Sequence, residues 1–424
     1  MNKPINRRHI ATAVTMAAAA LTGSASAAPD TAAQVRTTPR GTIVTPGSSI
    51  ARPEDRGVAA HTNIHMFIPR GAIAENSAPT GDFNNPASLA CLYGLTTFVT
   101  GCNPETLTTV ATGGSKIVAI VDAYDDPTAA NDLGVYSQQY GLPAIADDNF
   151  EVVYATGKKP PQDSTGDWEV EESLDIEMAH ALAPDAKVVL VEAKSNSNAD
   201  LILADKVAAA LVVGGGGGEV SNSWGESEFV GEAKYEKDFT GANVVFLAAA
   251  GDSSGTWWPS VLTNVIAVGG TSINREQGGE FVSQTTWTAT GGGRSTYVKR
   301  PPYQNNVTKI VGKTRGSPDV GLIANPQTGI WVYDSTPYEN RVLSWSVWGG
   351  TSVATPAIAG IINNAGAFNA STVAELTEIY ANLGVNRNFT PIKKGSCPNA
   401  KSGKASKGYD LCTGVGAPLG LAGK

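Results

Sequence analysis

The sequence predicts an α/β fold: a mostly parallel sheet with helices on both faces, forming a single large domain over 81–424. Three observations predict it. From about Asn85 onward, apolar runs of strand length alternate with segments of helical spacing, the order that builds parallel sheets. Several of those apolar runs end in acidic or glycine-rich turns. A chain of 424 residues, 42% hydrophobic and 17% charged, also has the composition of a protein with a substantial core.

The elements follow in order. "SKIVAIVDAYDDP" reads as a strand closing in an acidic turn, and "TAANDLGVYSQQYGLP" follows with helical spacing. "EVVYATG" is a second strand, and "VEESLDIEMAHALAP", residues 170–184, is a helix. The strand "AKVVLVEA" and the helix "NADLILADKVAAA" come next. "EVSNSWG" and "ANVVFLAAAGDSSG" are strands with polar or glycine-rich ends. Chemistry in such sheets gathers at the carboxyl ends of strands, which brings forward Asp122, the stretch 221–224 and Asp252. The five glycines at 214–218 lack the lysine and the order of a phosphate loop, and read as a turn.

Residues 1–27 carry a basic start, an apolar middle and a small-residue end at Ala25-Ser26-Ala27, the pattern of a cleaved secretory signal. The apolar run is too short to span a bilayer. Residues 28–80 are rich in Pro, Thr, Ala and Arg and read as a short leader or prosegment with a linker; "HTNIHMFIPRG" is their one strand-like piece. The four cysteines form two local pairs, Cys91 with Cys102 and Cys397 with Cys412. In an exported chain that favours two disulfides over a metal site, since neither pair has zinc spacing. Each bridge would stabilise by about 2–3 kcal/mol. A net charge of −8 without a dense basic cluster argues against nucleic acid. A soluble, exported monomer without a membrane or nucleic-acid partner is the expectation.

The helix over 170–184 turns two acids toward its apolar side. Glu171 and Asp175 lie four residues apart, on the stripe that continues into Met178 and Leu182. His180 lies about 180° around the helix from Glu171 and about 140° from Asp175. Taken alone, two acids near a helix start can simply be solvated there. In "VWGGTSVATPAIAGIINNAG" an apolar helix begins at Ser352, where free N–H groups favour the charge that a nucleophile's attack creates. A plain helix cap is the bland alternative.

The string Gly-Thr-Ser-x-x-x-Pro around Ser352 resembles the subtilisin superfamily. Its subtilisin branch needs a histidine in a His-Gly-Thr string, which this chain lacks. "EESLD", "AAAGDSSG" and "SNSWG" resemble instead the blocks of the sedolisin branch, the serine-carboxyl peptidases. "PSVLTNVIAVGGTS", "TATGGGRSTYVKRPPYQ", "RGSPDVGLIANP" and "GYDLCTGVGAP" follow in that family's order, so the likeness runs from about Ser88 to the C-terminus. The resemblance implies a subtilisin-like fold and a secreted endopeptidase active in acid on proteins or peptides. In it Ser352 would be the nucleophile, Glu171 its base, Asp175 the partner of that base and a protonated Asp252 the oxyanion donor. Ser221, Ser223, Trp224 and Gly225 would line the substrate strand, with the 291–293 turn nearby.

The likeness departs in three places. Pro391 stands where the family's calcium-binding aspartate would be; Ile392 and Asp410 remain, with Lys393 and Lys394 beside them. The expectation is no metal and no other cofactor, with a lysine pairing to Asp410 and the Cys397–Cys412 bridge in the metal's place. Asn325 stands where the family often has an aspartate. The leader is shorter than family prosegments, too short to block a cleft as a folded domain. Asp122 is a candidate supporting acid. Competing functions are a subtilisin-like protease using His180, an inactive binding protein of the same fold, and a glycosidase using Glu171 and Asp175. The last needs two acids on opposite sides of a sugar bond, which one helix turn does not give.

Overall fold

A computed structural model describes residues 32–71, 79–81, 83–338, 341–398 and 404–424. The signal predicted over 1–27 lies outside them. The central sheet has eight strands among the described residues. Its middle is parallel: Phe150–Tyr154, Lys187–Ala193, Ile117–Ala123, Gly218–Asn222, Val244–Ala249 and Ile266–Arg275 lie side by side in that order. Phe281–Thr286 adds an antiparallel edge, and Val320–Ile323 pairs in parallel with Ile266–Arg275.

Alternation along each strand separates two cores. Val118 and Ile120 face a core shared with Leu174, Met178, Val353 and Ile358, whereas Ala119 and Val121 face Leu201, Ala204 and Ala208. Helices Asp167–Leu182 and Thr351–Asn364 therefore cover one face and Asn198–Gly214 the other. The α/β, subtilisin-like architecture expected from the sequence is the one observed. The acid-bearing helix begins at Asp167, three residues before the predicted start. Asp163 Oδ2 accepts there from the N–H groups of Asp167 and Trp168, at 3.0 and 3.4 Å. The whole helix is buried, acids included. It packs closely on its partner at Gly360, where a Cβ would lie 3.1 Å from the Ala179 carbonyl oxygen.

The region predicted to be a leader and linker is no separate piece. Gln34–Thr38, Gly41–Thr45 and His65–Pro69 form a five-stranded sheet with Arg341–Gly349 and Ile330–Tyr338. Ile43 and Phe67 are buried against Phe83, Trp331 and Val347. Residues 34–69 thus share a core with the domain, and the strand they extend leads directly into Ser352. Both disulfides form between the predicted partners, each with a Cα–Cα separation of 5.6 Å.

Candidate active site

The site is built where three strands end and one helix begins. Gly349 and Gly350 turn the strand Arg341–Gly349 into the helix Thr351–Asn364, with Gly350 at φ 126°, a backbone state that a side chain would strain. The first N–H groups of that helix are all engaged. Thr351 N–H donates to Asp252 Oδ1 at 2.8 Å and Val353 N–H to Gly350 O at 3.2 Å. Ser352 N–H donates to the main-chain carbonyl of Asn63 at 3.3 Å. Pro356 has no N–H, so the Ser352 carbonyl is spared its usual helical partner; the Ser223 hydroxyl lies 3.4 Å from it. The Ser352 hydroxyl donates to Ser223 O at 3.0 Å.

Glu171 and Asp175 are fully buried beside this serine. Glu171 Oε2 accepts from Asn63 N–H at 3.4 Å, while Glu171 Oε1 and both Asp175 oxygens meet no donor among the described residues. Burial first, then the Asp175 carboxylate, pushes the Glu171 carboxyl well above the usual range, and the Ser352 hydroxyl pulls it partly back. Asp175 is raised by burial and then by Asp122, with the Ser223 hydroxyl and Glu171 opposing. Asp122, also without a donor, is raised by burial and then by Glu171. Three neighbouring acids with so few donors in a dry site cannot all carry charge at once, so they share protons.

Asp252 follows the strand Val244–Ala249. Its Oδ1 accepts from the Thr351 N–H and from the Thr351 hydroxyl at 2.7 Å. Its Oδ2 lies 3.2 Å from His65 Nε2, and His65 Nδ1 lies 2.8 Å from the Thr45 hydroxyl. The 291–293 turn braces this loop: Gly291 N–H donates to Gly251 O at 2.7 Å and Gly292 N–H to Gly255 O at 2.8 Å.

The structure brings Ser352, Glu171, Asp175, Asp252 and Asp122 together, and it relocates others. Ser223 O accepts from the Ser352 hydroxyl and the Asn63 side-chain amide, and Gly225 pairs with His61. Trp224 offers only its main chain; its indole N–H reaches Val121 O at 2.9 Å and its ring packs on Trp258. Ser221, expected in the cleft wall, is buried within the central sheet, paired with Ile120 and Leu247. His180 is buried with Nε2 3.2 Å from Pro143 O, so it does not serve as a base for Ser352. Asp410 is held by N–H groups of Ser406, Cys412 and Thr413 at 2.9–3.2 Å and by the Thr413 hydroxyl. The lysine pair expected for it is not formed: Lys393 and Lys394 are exposed. Both Asp410 oxygens are taken by donors and Pro391 offers no carboxylate, so these residues do not fit a calcium ion.

Two residues escaped the sequence reading, Asn63 and His65, because both lie in the predicted leader. The leader was also expected to be too short to block the cleft. His61 and Thr62 nevertheless pair antiparallel with Gly225 and Trp224, and run through it. The strand-like texture of "HTNIHMFIP" was the one available signal.

Comparison with known proteins identifies the fold and the family. The profile of the Subtilase family matches residues 159–382. Kumamolisin of Bacillus sp. (strain MN-32) is 28% identical over 342 residues, covering 73% of this chain and 59% of that protein. Sedolisin of Pseudomonas sp. (strain 101) is 22% identical over 361 residues, covering 72% and 58%. The chain thus spans under two thirds of the length of both curated relatives. Among solved structures, Pseudomonas sedolisin, a serine-carboxyl proteinase complexed with two molecules of pseudo-iodotyrostatin, superposes with a TM-score of 0.63 at 22% identity. That match covers 80% of this chain and 96% of that one. Sphericase gives 0.51 at 20% identity, covering 81% and 99%. With a family profile over more than half its length, and with kumamolisin and sedolisin among its relatives, the chain belongs to the subtilase family, in its sedolisin branch.

Proposed function

We propose that this protein is a secreted serine-type endopeptidase that hydrolyses proteins or peptides in acid. One observation supports the reading above all. A serine at the start of a buried helix lies beside two buried carboxyls, three of whose four oxygens lack donors among the described residues, and its own N–H already holds a peptide carbonyl.

Glu171 takes the proton of the Ser352 hydroxyl as the oxygen attacks the substrate carbonyl carbon. Asp175 shares a proton with Glu171 and fixes its orientation, and Asp122 helps to keep that proton inside the cluster. The developing oxyanion is met by the Ser352 N–H and by Asp252, which donates only when protonated. Glu171 then gives its proton to the leaving amine, and water repeats the sequence on the acyl-enzyme. Glu171 must be free to accept a proton at the first step while Asp175 and Asp252 keep theirs, and that mixed state of protonation ties the reaction to acid.

Two disulfides suit an oxidising compartment, reached through the signal over 1–27. Among the described residues no helix is long and apolar enough to cross a membrane. We infer a monomer that works without a metal or other cofactor and without nucleic acid.

A pH–rate profile of peptide hydrolysis from about pH 2 to pH 8 tests the reading. A maximum in acid that falls roughly ten-thousand-fold in Ser352→Ala and in Glu171→Gln is expected. A neutral maximum that survives Glu171→Gln would overturn the carboxyl mechanism, and a folded protein without hydrolysis at any pH would overturn the peptidase reading itself.

A further inference from the structure

Behind Ser352 the buried acids continue past the catalytic pair. On the helix Asp167–Leu182, Glu169, Glu172 and Asp175 follow at a spacing of three, so they form one stripe with steps of about 4.5 Å along the axis. All three are buried. The sheet beneath supplies two more. Asp122 and Glu192 are paired positions of neighbouring parallel strands, and the alternation that sends Val121 and Val191 to the opposite core turns both carboxyls toward this helix. Asp126 closes the group. Its Oδ2 accepts from the Ser173 hydroxyl at 3.3 Å, and its Oδ1 from the Thr128 N–H and hydroxyl at 2.8 and 2.9 Å.

Glu172 stands in the middle of the group. It is fully buried, and neither of its oxygens meets a donor among the described residues. The groups that face it are acids from each element packed against it: Glu192, Asp126, Asp122 and, on its own helix, Glu169. Burial first, then Glu192, holds its carboxyl well above the usual range. The row of protonated carboxyls has an inner end at Asp175 and an outer end at Glu169. Glu169 Oε1 accepts from the Asp163 N–H at 3.0 Å, and Gln162, Asp163 and Ser164 line an open pocket of about 250 Å³.

The catalytic pair has need of such a row. Ser352, Glu171 and Asp175 are fully buried, and Asn63 covers them, with its N–H on Glu171 Oε2 and its carbonyl on the Ser352 N–H. Glu171 must nevertheless be empty while Asp175 keeps its proton, a state set by the pH of the surrounding water. We propose that Glu172 relays protons between the Glu171–Asp175 pair and solvent, through Glu169 and the Asp163 loop, by a route that does not pass Asn63. The proposal rests on the peptidase reading given above. Glu172 touches neither Ser352 nor the substrate; it acts through the pair, as a positioning residue for its protons.

Each transfer leaves Glu172 as it was. A proton from Glu169 forms an O–H bond on one Glu172 oxygen while the O–H bond on the other breaks, and that proton moves inward to Asp122 or Asp175. Asp175 passes its own proton to an ionised Glu171, and Glu169 is refilled from water. The net change is one proton taken from solvent and one negative charge removed from Glu171. The reverse sequence empties Glu171 again.

The test follows exchange of the buried carboxyl protons in the full chain carrying Ser352→Ala. The infrared carbonyl band of protonated carboxyls is recorded after rapid mixing into heavy water at acid pH, and the part lost on adding Asp175→Asn belongs to the pair. Glu172→Gln should slow the exchange of that part about tenfold, because an amide does not take a proton on one atom and release it from the other. Glu177→Gln, at a buried acid of the same helix that accepts from the Tyr333 N–H, should leave the rate unchanged. An unchanged rate in Glu172→Gln would overturn the relay. Equal slowing in Glu177→Gln would trace the effect to the helix as a whole and overturn it too. Hydrolysis of an added peptide by the wild-type chain is measured in parallel. If it is present while Glu172→Gln exchanges normally, the relay falls and the peptidase reading stands; if a folded wild-type chain hydrolyses nothing, both fall.

Discussion

Asp319 and the Glu171–Asp175 pair are both fully buried, and their oxygens are satisfied in opposite ways. Asp319 accepts from Arg315 Nη1 at 2.8 Å, from the Ala267 N–H at 2.8 Å and from the Tyr380 hydroxyl at 2.8 Å, with the Arg315 guanidinium forked across it. Its charge is neutralised and its lone pairs are used. Glu171 and Asp175 have one long bond from Asn63 and three oxygens without donors. A buried acid surrounded by donors ties strands together, whereas a buried acid short of donors keeps a proton it can pass on.

Mutating each region separates the two roles. Arg315→Met strips Asp319 of its countercharge and leaves that charge buried, so a loss of about 3–5 kcal/mol in urea unfolding is expected. Glu171→Gln replaces a buried acid by a neutral isostere, so the same measurement near neutral pH should show equal or greater stability while hydrolysis disappears. The comparison breaks if Glu171→Gln unfolds as readily as Arg315→Met.

A smaller effect follows from the many other buried acids. Burial is the first cause that lifts Asp126, Glu226 and Glu375 each to about 7. These carboxyls hold their protons more tightly folded than unfolded. Their contribution is complete below about pH 4, near the unfolded value, and is lost as pH rises through about 7. His61, pushed down to about 4 by burial, works the other way, costing stability as pH falls below its unfolded value. The acids outnumber it. Melting scans should therefore show a Tm lower by on the order of 10 °C at pH 8 than at pH 4.5. A Tm that rises toward neutrality would contradict this balance.

The smallest effect sharpens the comparison inside the site. His65 Nε2 lies 3.2 Å from Asp252 Oδ2, while Thr351 holds Oδ1, so the histidine helps to fix the orientation of that carboxyl. His65→Gln loosens this hold, so kcat on an added peptide should fall by about tenfold with KM unchanged. An unchanged kcat would exclude His65 as a positioning residue.

The order of strands and helices was legible because each is written in local apolar spacing, and the grouping of Ser352, Glu171, Asp175 and Asp252 was legible because the strings around them resemble one family's blocks in order. What escaped was long-range. His61–Thr62 and His65–Pro69 find their partners at Trp224–Gly225 and Val347–Gly349, far along the chain, and no local pattern states such a pairing. His65 was set aside with the leader for the same reason. The lysine partner for Asp410 failed because backbone N–H groups two and three residues away reach the carboxylate first. Ser221 was misplaced because the strand Gly218–Asn222 reaches past it and pairs it on both sides, whereas Ser223 lies beyond the strand's end and meets Ser352.

The strand Gly41–Thr45 runs antiparallel along His65–Pro69, with Ile43 opposite Phe67 and Val44 opposite Met66. The segment between them, which pairs with Trp224 and Gly225 and reaches Ser352, is thus tied at both ends to one sheet. Moving it aside means peeling a strand and exposing Ile43, so its exchange should slow with anything that firms the sheet and quicken in mild denaturant.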